Sequence, residues 1–372
     1  MHINYSLKTR AGGRRTEQFR PTDAIPFGKL RSDHMFLMDY ADGEWSHARI
    51  VPYGSLHNLM PGAICLHYGQ GIFEGLKAHK HPDGELYTFR ADQNASRLNR
   101  SADIMCMPHV PEDAFLESID ALLDIDRLWY PEQEEASMYV RPCMIGTEDS
   151  IGVHPSAKYT FCLFLSPSGP YYPGGFTKPI DLLISKKFHR AAPGGTGSAK
   201  AAGNYGGSLR AGKFAENLHC KQVLYLDVYN EHVEEAGAMN HFHVTKDGKI
   251  VIPEFTDTIL RSITAMSLLE TEKGRVCQEP VPIQAFIDDV RDGRITEAGG
   301  CGTAAVITAV GSYHFDDCTP PLRIGNGEIG PVTREMYEKL TAIQTGRAEA
   351  PSGWLRKVQR RSPAHPLQVS VS

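Results

Sequence analysis

The hydrophobic residues of this chain of 372 residues follow a helical period in some segments and form short strand-like runs in others. Apolar residues three and four positions apart predict helices, and short apolar runs rich in β-branched and aromatic residues predict buried strands. The helix-like segments are residues 94–105, 111–128, 209–217, 258–271, 283–292 and 332–345. The strand-like segments are residues 35–39, 86–89, 138–145, 159–165, 180–185, 223–228, 241–245, 250–252, 294–297 and 304–310. Because strands and helices mix without strict alternation, the pattern predicts an α+β or mixed α/β fold.

One stretch rich in proline, glycine, serine and tyrosine, residues 166–177, interrupts this pattern and predicts a domain boundary. We therefore expect a small N-terminal α/β domain over residues 1–167, an interdomain linker over residues 168–178 and a larger C-terminal domain over residues 179–372. The chain is basic and then polar near its end, and we expect the tail after about residue 356 to be disordered.

Composition narrows the class of protein. A hydrophobic content of 41% and a charged content of 22% are typical of a soluble globular protein, and a net charge of -5 argues against a general nucleic-acid binder. The sequence has no apolar run long enough for a membrane span and no secretory signal at its start. The eight cysteines form no CxxC pair and are interpreted as reduced core thiols of a cytoplasmic protein. No metal site is predicted from the spacing of the histidines.

Residues 192–207 carry a single charge, Lys200, among glycine, alanine and serine. The lysine could be a solvated surface residue, or it could be shielded from water so that its amine forms a Schiff base. A phosphate-binding P-loop is excluded because Ala199 and Ala201 stand where that motif needs glycine and serine or threonine. The position of Lys200 between a predicted strand and a predicted helix is typical of a functional site, and Tyr205 could place a phenol beside its ligand.

Five stretches occur in an order that resembles the branched-chain amino acid aminotransferases: residues 68–75, 139–142, 192–205, 235–240 and 302–305. These are pyridoxal-phosphate enzymes of fold type IV, the D-amino acid aminotransferase-like fold, and the resemblance runs from about residue 27 to residue 354. It implies two domains with pyridoxal 5'-phosphate between them and a homodimer whose sites borrow partner residues. The implied reaction is reversible amino transfer between leucine, isoleucine or valine and 2-oxoglutarate.

Three alternatives remain open. A D-amino acid aminotransferase and an aminodeoxychorismate lyase share the same fold, but residues 139–141 and 235–240 favour the branched-chain type. A non-catalytic small-molecule binding protein would be expected to lack Lys200 or Glu235, and both are present.

The resemblance implies a cofactor-binding set. Lys200 would hold the cofactor aldehyde and act as general base, Glu235 would pair with the pyridine nitrogen, and Tyr205 would hydrogen-bond the ring hydroxyl. The residues matched to the phosphate are Arg97, Ile263, Thr264 and Thr303. Arg97 could instead be a solvated helix arginine like Arg100, and Glu234 is expected to be a surface carboxylate beside Glu235.

The implied substrate pocket is aromatic with one cation, and its matched residues are Phe27, Tyr68, Phe73, Tyr139, Arg141, Tyr171 and Ala304. Arg141 is matched to the position that meets the distal carboxylate of glutamate, assisted by Tyr68 from the partner subunit. Ile151 and Val153 match the loop positions that reach into the other subunit. Two positions depart from the family: Ala238 lacks a common threonine hydroxyl, and Ala265 stands where an arginine is common.

Overall fold

The computed structural model describes residues 6–7, 25–133, 135–172, 175–317 and 319–360. The strands of the described residues are β1 Ser6–Leu7, β2 His34–Ala41, β3 Glu44–Pro52, β4 Gly71–Phe73, β5 Leu76–Lys80, β6 Leu86–Phe89, β7 Ser137–Gly146, β8 Tyr159–Ser168, β9 Ile180–Ile184, β10 Gln222–Leu226, β11 Val233–Ala236, β12 Met239–Thr245, β13 Ile250–Pro253, β14 Val276–Glu279, β15 Ile295–Gly302, β16 Val306–Phe315, β17 Leu322–Arg323 and β18 Leu355–Lys357. The helices are α1 Ile64–Tyr68, α2 Ala91–Ile104, α3 Glu112–Ile125, α4 Ala202–Asn217, α5 Ile263–Thr271, α6 Ile283–Arg291 and α7 Pro331–Gln344. The predicted α+β class is confirmed.

The described residues divide into two compact units. The first unit contains the described residues up to Tyr171, the short segment Ala199–Gly203 and the described residues from Ile343 onward. The second unit contains the described parts of Tyr172–Ser198 and Asn204–Ala342. The sequence assigned Lys200 and the chain after Ile343 to the C-terminal domain, whereas the structure groups both with the first unit.

The end of the described chain also differs from the prediction. Disorder was expected after about residue 356, but β18 pairs with β6 and Val358 is fully buried. Its backbone nitrogen donates a hydrogen bond to the carbonyl of Leu86 at 2.9 Å. The prediction is therefore wrong up to residue 360, while residues 361–372 lie outside the described residues.

The first unit is built on a mostly antiparallel sheet with the strand order β1-β3-β2-β8-β7-β5-β6-β18, and β4 pairs with β7. Helices α2 and α3 contact each other, and α3 also contacts β2 and β8. Phe36, Phe115 and Phe161 are fully buried in the core that includes these elements. Complete burial of one such side chain stabilises the fold by roughly 1.5–3 kcal/mol.

The two faces of this sheet differ because successive strand residues point to opposite sides. Along β7, Met138, Val140 and Met144 belong to the main core of the first unit. Arg141 and Cys143, between them, point to the opposite side and are only half-buried. We call this side the second face of the sheet.

The second unit is built on a sheet that closes on itself. Its strand order is β11-β10-β9-β16-β15-β12, and β11 pairs with β12 as well as with β10. Strands β13 and β14 continue the sheet beyond β12, and β17 pairs with β16. Phe242, Phe286 and Tyr313 are fully buried in this unit. Among the described residues of the chain, no helix has the length and apolar character that a bilayer span requires.

Candidate active site

Lys200 lies in the first unit on a segment fixed against β4. Ala201 forms a β-bridge with Ile72, and the backbone nitrogen of Phe73 donates to the carbonyl of Lys200 at 3.0 Å. The backbone nitrogen of Lys200 donates to Ser101 Oγ at 2.9 Å. The alanines on either side of the lysine are buried in the core, which explains why the segment needs small residues. Both backbone groups of Lys200 are thus held in place, and the residue is half-buried.

The side chain of Lys200 lies beside an aromatic ring and acts electrostatically on a carboxylate. Its Nζ atom is 4.8 Å from the centroid of the Phe73 ring, a cation–π distance. Burial raises the pKa of the Glu74 carboxyl, but Arg97, Lys200 and Asn94 together outweigh that effect, and the pKa ends below its ordinary value. Glu74 is therefore ionised at neutral pH although it is completely buried.

Glu74 binds Arg97 through both carboxylate oxygens. Arg97 Nε donates to Oε1 at 2.7 Å and Nη2 donates to Oε2 at 2.8 Å. Asn94 Nδ2 also donates to Oε2 at 2.6 Å. Only 4% of Arg97 is exposed, so the interpretation of Arg97 as a solvated helix arginine is wrong. The sequence analysis missed Glu74; an acidic residue inside the apolar stretch 72–75 was the available signal.

An aromatic group with one arginine occupies the second face of the sheet. The Phe27 ring meets Tyr139 at 4.9 Å and Tyr171 at 5.1 Å between centroids, each edge to face. The Arg141 guanidinium lies 4.8 Å from the Phe73 ring centroid and 5.3 Å from that of Tyr139. The structure thus brings together five of the side chains that the resemblance assigned to substrate binding. We call these five the aromatic–arginine group.

Local geometry explains how this group forms. Tyr139 and Arg141 are alternate residues of β7 and so share a face. A Cβ atom at Gly75 would lie 1.9 Å from the Tyr139 hydroxyl, so only glycine lets this ring approach the backbone. Arg141 Nη2 donates to that hydroxyl at 3.3 Å, and this is the only hydrogen bond of the Arg141 side chain within the described residues. Its Nε atom is buried without a partner there, which leaves a cationic donor available for an anion.

Tyr68, Ile151 and Val153 form a separate exposed patch of the first unit. The Tyr68 hydroxyl donates to the carbonyl of Ile151. Ile151 is 79% exposed and Val153 is 83% exposed, which is high for branched apolar side chains. Exposed apolar side chains of this kind are typical of a loop that packs against another surface.

The second unit contains a cavity of ≈ 440 Å³ whose lining includes Tyr205, Glu235, Ala238, Asn240 and Ser262. Tyr205 comes from the first turns of α4, and Glu235 comes from β11. A phenol and a carboxylate therefore face the same cavity. The residue at position 238 is an alanine, so the wall near Glu235 lacks the hydroxyl that the family often has there.

Glu235 is held by several neighbours. Its Oε1 accepts from the backbone nitrogen of Leu260 at 2.7 Å and from Asn240 Nδ2 at 3.4 Å. Arg190 Nε lies 3.1 Å from its Oε2, close enough for an ion pair although the Nε–H is not aligned for a hydrogen bond. Only 3% of Glu235 is exposed. An ionised carboxylate is thus stabilised inside the cavity wall.

Glu234 points to the other side of β11, and the expectation that it lies at the surface is wrong. It is 6% exposed and accepts a hydrogen bond from the Thr258 hydroxyl. Burial raises the pKa of its carboxyl. The error arose because β11 is buried along its whole length, so neighbouring charges on opposite faces are both enclosed.

Helix α5 begins next to this cavity. Ser262 caps the helix by accepting from the backbone nitrogen of Ala265 at 2.9 Å. The backbone nitrogens of Ile263 and Thr264 donate to no acceptor within the described residues, as expected for the first turn of a helix. Such a turn attracts an anion. Thr303 and Ala304 lie half-buried in the turn between β15 and β16.

Comparison with known sequences shows which family of proteins has this fold and these residues. The family model named Amino-transferase class IV matches residues 71–313. That range includes Lys200, Glu235 and Thr303. The chain belongs to the class IV aminotransferase family, and the resemblance inferred from the sequence is confirmed.

Individual relatives and solved structures show which members of the family this chain is similar to. The chain is 40% identical over 340 residues to branched-chain-amino-acid transaminase 1 of Bacillus subtilis (strain 168), which covers 90% of this chain and 94% of the relative. The crystal structure of the branched-chain amino acid aminotransferase of Escherichia coli matches with a TM-score of 0.73 and 27% identity, covering 88% of this chain and 99% of that one. The branched-chain amino acid aminotransferase from Thermobaculum terrenum, in its PLP-form, matches in fold with a TM-score of 0.70 and 22% identity, covering 87% and 98%.

Proposed function

We propose that this protein is a pyridoxal-phosphate-dependent branched-chain amino acid aminotransferase. It transfers the amino group reversibly between leucine, isoleucine or valine and 2-oxoglutarate. The observation that carries the proposal is the aromatic–arginine group, whose Phe73 ring also meets Lys200. Identity of 40% over nine tenths of the chain to a transaminase of that name supports the same substrates.

Two different side chains must be accepted at one site. The rings of Phe27, Phe73 and Tyr139 offer apolar surface for an isobutyl, sec-butyl or isopropyl group. Glutamate brings a second carboxylate, and leaving it unpaired in such surroundings would cost roughly several kcal/mol. Arg141 offers the buried Nε donor that would pair with it, while an aliphatic chain lies beside the guanidinium.

The residues of the structure fit pyridoxal phosphate. Lys200 has both backbone groups fixed and its amine beside an aromatic ring. Glu235 and Tyr205 line one cavity and would hold the ring nitrogen and the ring hydroxyl. The unpaired amides of Ile263 and Thr264 would hold the phosphate, with the Thr303 hydroxyl and the Arg97 guanidinium as further donors.

Bound pyridoxal phosphate supplies an aldehyde carbon that receives the amino group and a ring that accepts electrons. Lys200 Nζ would take the proton from the substrate Cα and return it on the product side; its fixed backbone and its contact with the Phe73 ring support this role. The Glu235 carboxylate would keep a proton on the ring nitrogen, and its bonds to Leu260 and Asn240 orient it for that purpose. Glu74 orients Arg97 through its two hydrogen bonds.

A coupled assay tests this function against its two rivals. With L-leucine and 2-oxoglutarate we expect the branched keto acid and glutamate in equal amounts. A D-amino acid aminotransferase would prefer D-alanine, and a lyase would release pyruvate from aminodeoxychorismate; either result at a higher rate would refute the proposal. Borohydride reduction of the cofactor-loaded protein should label Lys200, and a Lys200→Ala variant should lose both label and transfer.

The proposed assembly is a cytoplasmic homodimer. Its support is the exposed apolar patch of Tyr68, Ile151 and Val153, which a second copy would cover. The described cysteines are all free thiols, as is usual in a reducing compartment. Sedimentation of the wild type should give a dimer, and an Ile151→Asp, Val153→Asp double variant should lower transfer activity. A monomeric, fully active wild type would refute the shared site.

A further inference from the structure

Two cysteines face each other on the second face of the first unit. In the antiparallel pairing of β7 with β8, Cys143 and Cys162 are direct partners. Direct partners in such a pair have Cα atoms about 4.5–5.5 Å apart. A disulfide usually spans Cα distances of about 4.4–6.8 Å, so the spacing typical of direct partners falls within the range that a disulfide bridges. Both are free thiols in this structure.

The two thiols differ in exposure and in charge. Cys162 is 5% exposed and packs with Met35 and Leu37, whereas Cys143 is half-buried at the edge of this cluster. The hydrogen bond from Cys162 lowers the pKa of the Cys143 thiol, burial opposes this, and Arg141 adds to the lowering. The same contact raises the pKa of Cys162. Cys143 is therefore the thiol of the pair that loses its proton more readily, and Cys162 is the donor held beside it.

Among the described residues, the other thiols lack this combination. Burial raises the pKa of Cys220 to about 11 and that of Cys301 to about 12. Since the thiolate is the reactive form, these two are expected to be inert. Cys106 is exposed and provides a control for simple accessibility.

We propose that Cys143 and Cys162 form a reversible thiol–disulfide modification site that reacts with hydroperoxides. The Cys143 thiolate attacks one peroxide oxygen, the O–O bond breaks, and Cys143 becomes a sulfenic acid while hydroxide leaves. Cys162 Sγ then attacks Cys143 Sγ, the S–S bond forms, and the sulfenic oxygen leaves as water. In sum, two thiols lose two electrons and two protons, and one hydroperoxide is reduced to water or to an alcohol and water.

This site is independent of the proposed function. A disulfide there would link β7, the strand that carries Arg141, to β8. Cys143 lies two residues after Arg141 and on the same face of the sheet. Cys143 is half-buried rather than enclosed. The thiol on the directly paired residue would resolve the sulfenic acid before further oxidation.

Peptide mapping of the cofactor-loaded protein tests the proposal. The protein is treated with hydrogen peroxide, the remaining thiols are alkylated, and the non-reduced digest is analysed by mass spectrometry. We expect a peptide pair linked through Cys143 and Cys162, a loss of two titratable thiols per chain, and full recovery with dithiothreitol. A Cys162→Ser variant should instead accumulate a sulfenic acid at Cys143 that dimedone traps, and Cys106→Ser should behave as the wild type.

Two results would overturn the proposal. One is a wild-type digest in which Cys143 and Cys162 are both alkylated after peroxide treatment that oxidises Cys106. The other is dimedone labelling of Cys162→Ser at a cysteine other than Cys143. The wild-type digest decides the matter even if the serine variant fails to fold.

Discussion

Replacing Arg141 with methionine separates the two half-reactions of the proposed enzyme. Methionine keeps an unbranched apolar chain against Phe73 and Tyr139 but removes the cation that glutamate needs. Within the described residues the guanidinium makes one hydrogen bond, to the Tyr139 hydroxyl at 3.3 Å, and none to a backbone carbonyl. Its loss should therefore leave the melting temperature nearly unchanged.

The expected size of the effect follows from that environment. Removing one partner of a buried ion pair costs about 3–5 kcal/mol. Arg141 is only half-buried, so the low end applies, and about 3 kcal/mol corresponds to roughly a hundredfold in rate. The glutamate half-reaction should fall by that factor or more. The leucine half-reaction makes no use of the charge and should stay within about tenfold of the wild type.

Stopped-flow bleaching of the cofactor band, with each amino acid in turn, measures both half-reactions. Arg49→Met is a matched control, because Arg49 pairs with Asp39 on the same sheet and is assigned no part in the pocket. It should leave both half-reactions unchanged. Equal losses for leucine and glutamate in Arg141→Met, at unchanged cofactor content, would show that Arg141 does not determine specificity.

Two further predictions concern buried carboxylates. Glu235→Gln should bind cofactor yet slow both half-reactions by orders of magnitude in stopped flow, whereas Glu234→Gln, on the opposite face of β11, should retain them; the reverse order would mean that the ring faces the other residue. Glu74→Gln should lower the free energy of unfolding in urea by about 3–5 kcal/mol at neutral pH because it removes the carboxylate charge that the buried Arg97 pairs with, while the exposed Glu132→Gln should be near neutral. The pKa of Glu74 lies below its ordinary value, so this contribution is present above the unfolded pKa and is lost as the pH falls; a gap from the wild type that widened in acid would refute the ion-pair account.

The hydrophobic pattern of the sequence predicted the helices and strands whose formation depends on residues close together in the chain. The run at residues 180–185 became β9, and the periodic segment at residues 111–128 became α3 followed by a short 3-10 helix, Arg127–Trp129. Helix α4 begins at Ala202, earlier than predicted, because glycine and serine dilute the apolar period of its first turns. The aromatic–arginine group was found through the family resemblance, since nothing local distinguishes Tyr139 from a core tyrosine.

Long-range pairings were the parts that could not be predicted. The Glu74–Arg97 pair joins the turn before β5 to α2, and Cys143 meets Cys162 only because β7 and β8 pair in one particular register. A shift of one residue in that register would send the thiols to opposite faces. Sequence spacing alone carries no information about such a register.

The burial of Glu74 also bears on how Lys200 can react. A buried carboxylate needs a cation, and Arg97 meets this need with two hydrogen bonds at 2.7 and 2.8 Å. Lys200 contributes to lowering the pKa of Glu74, but less than Arg97 does. Glu74 therefore keeps its main cationic partner when the Lys200 amine reacts. Because one arginine on α2 supplies that partner, Lys200 can act as nucleophile and general base in the proposed reaction without removing the cation that the buried carboxylate needs.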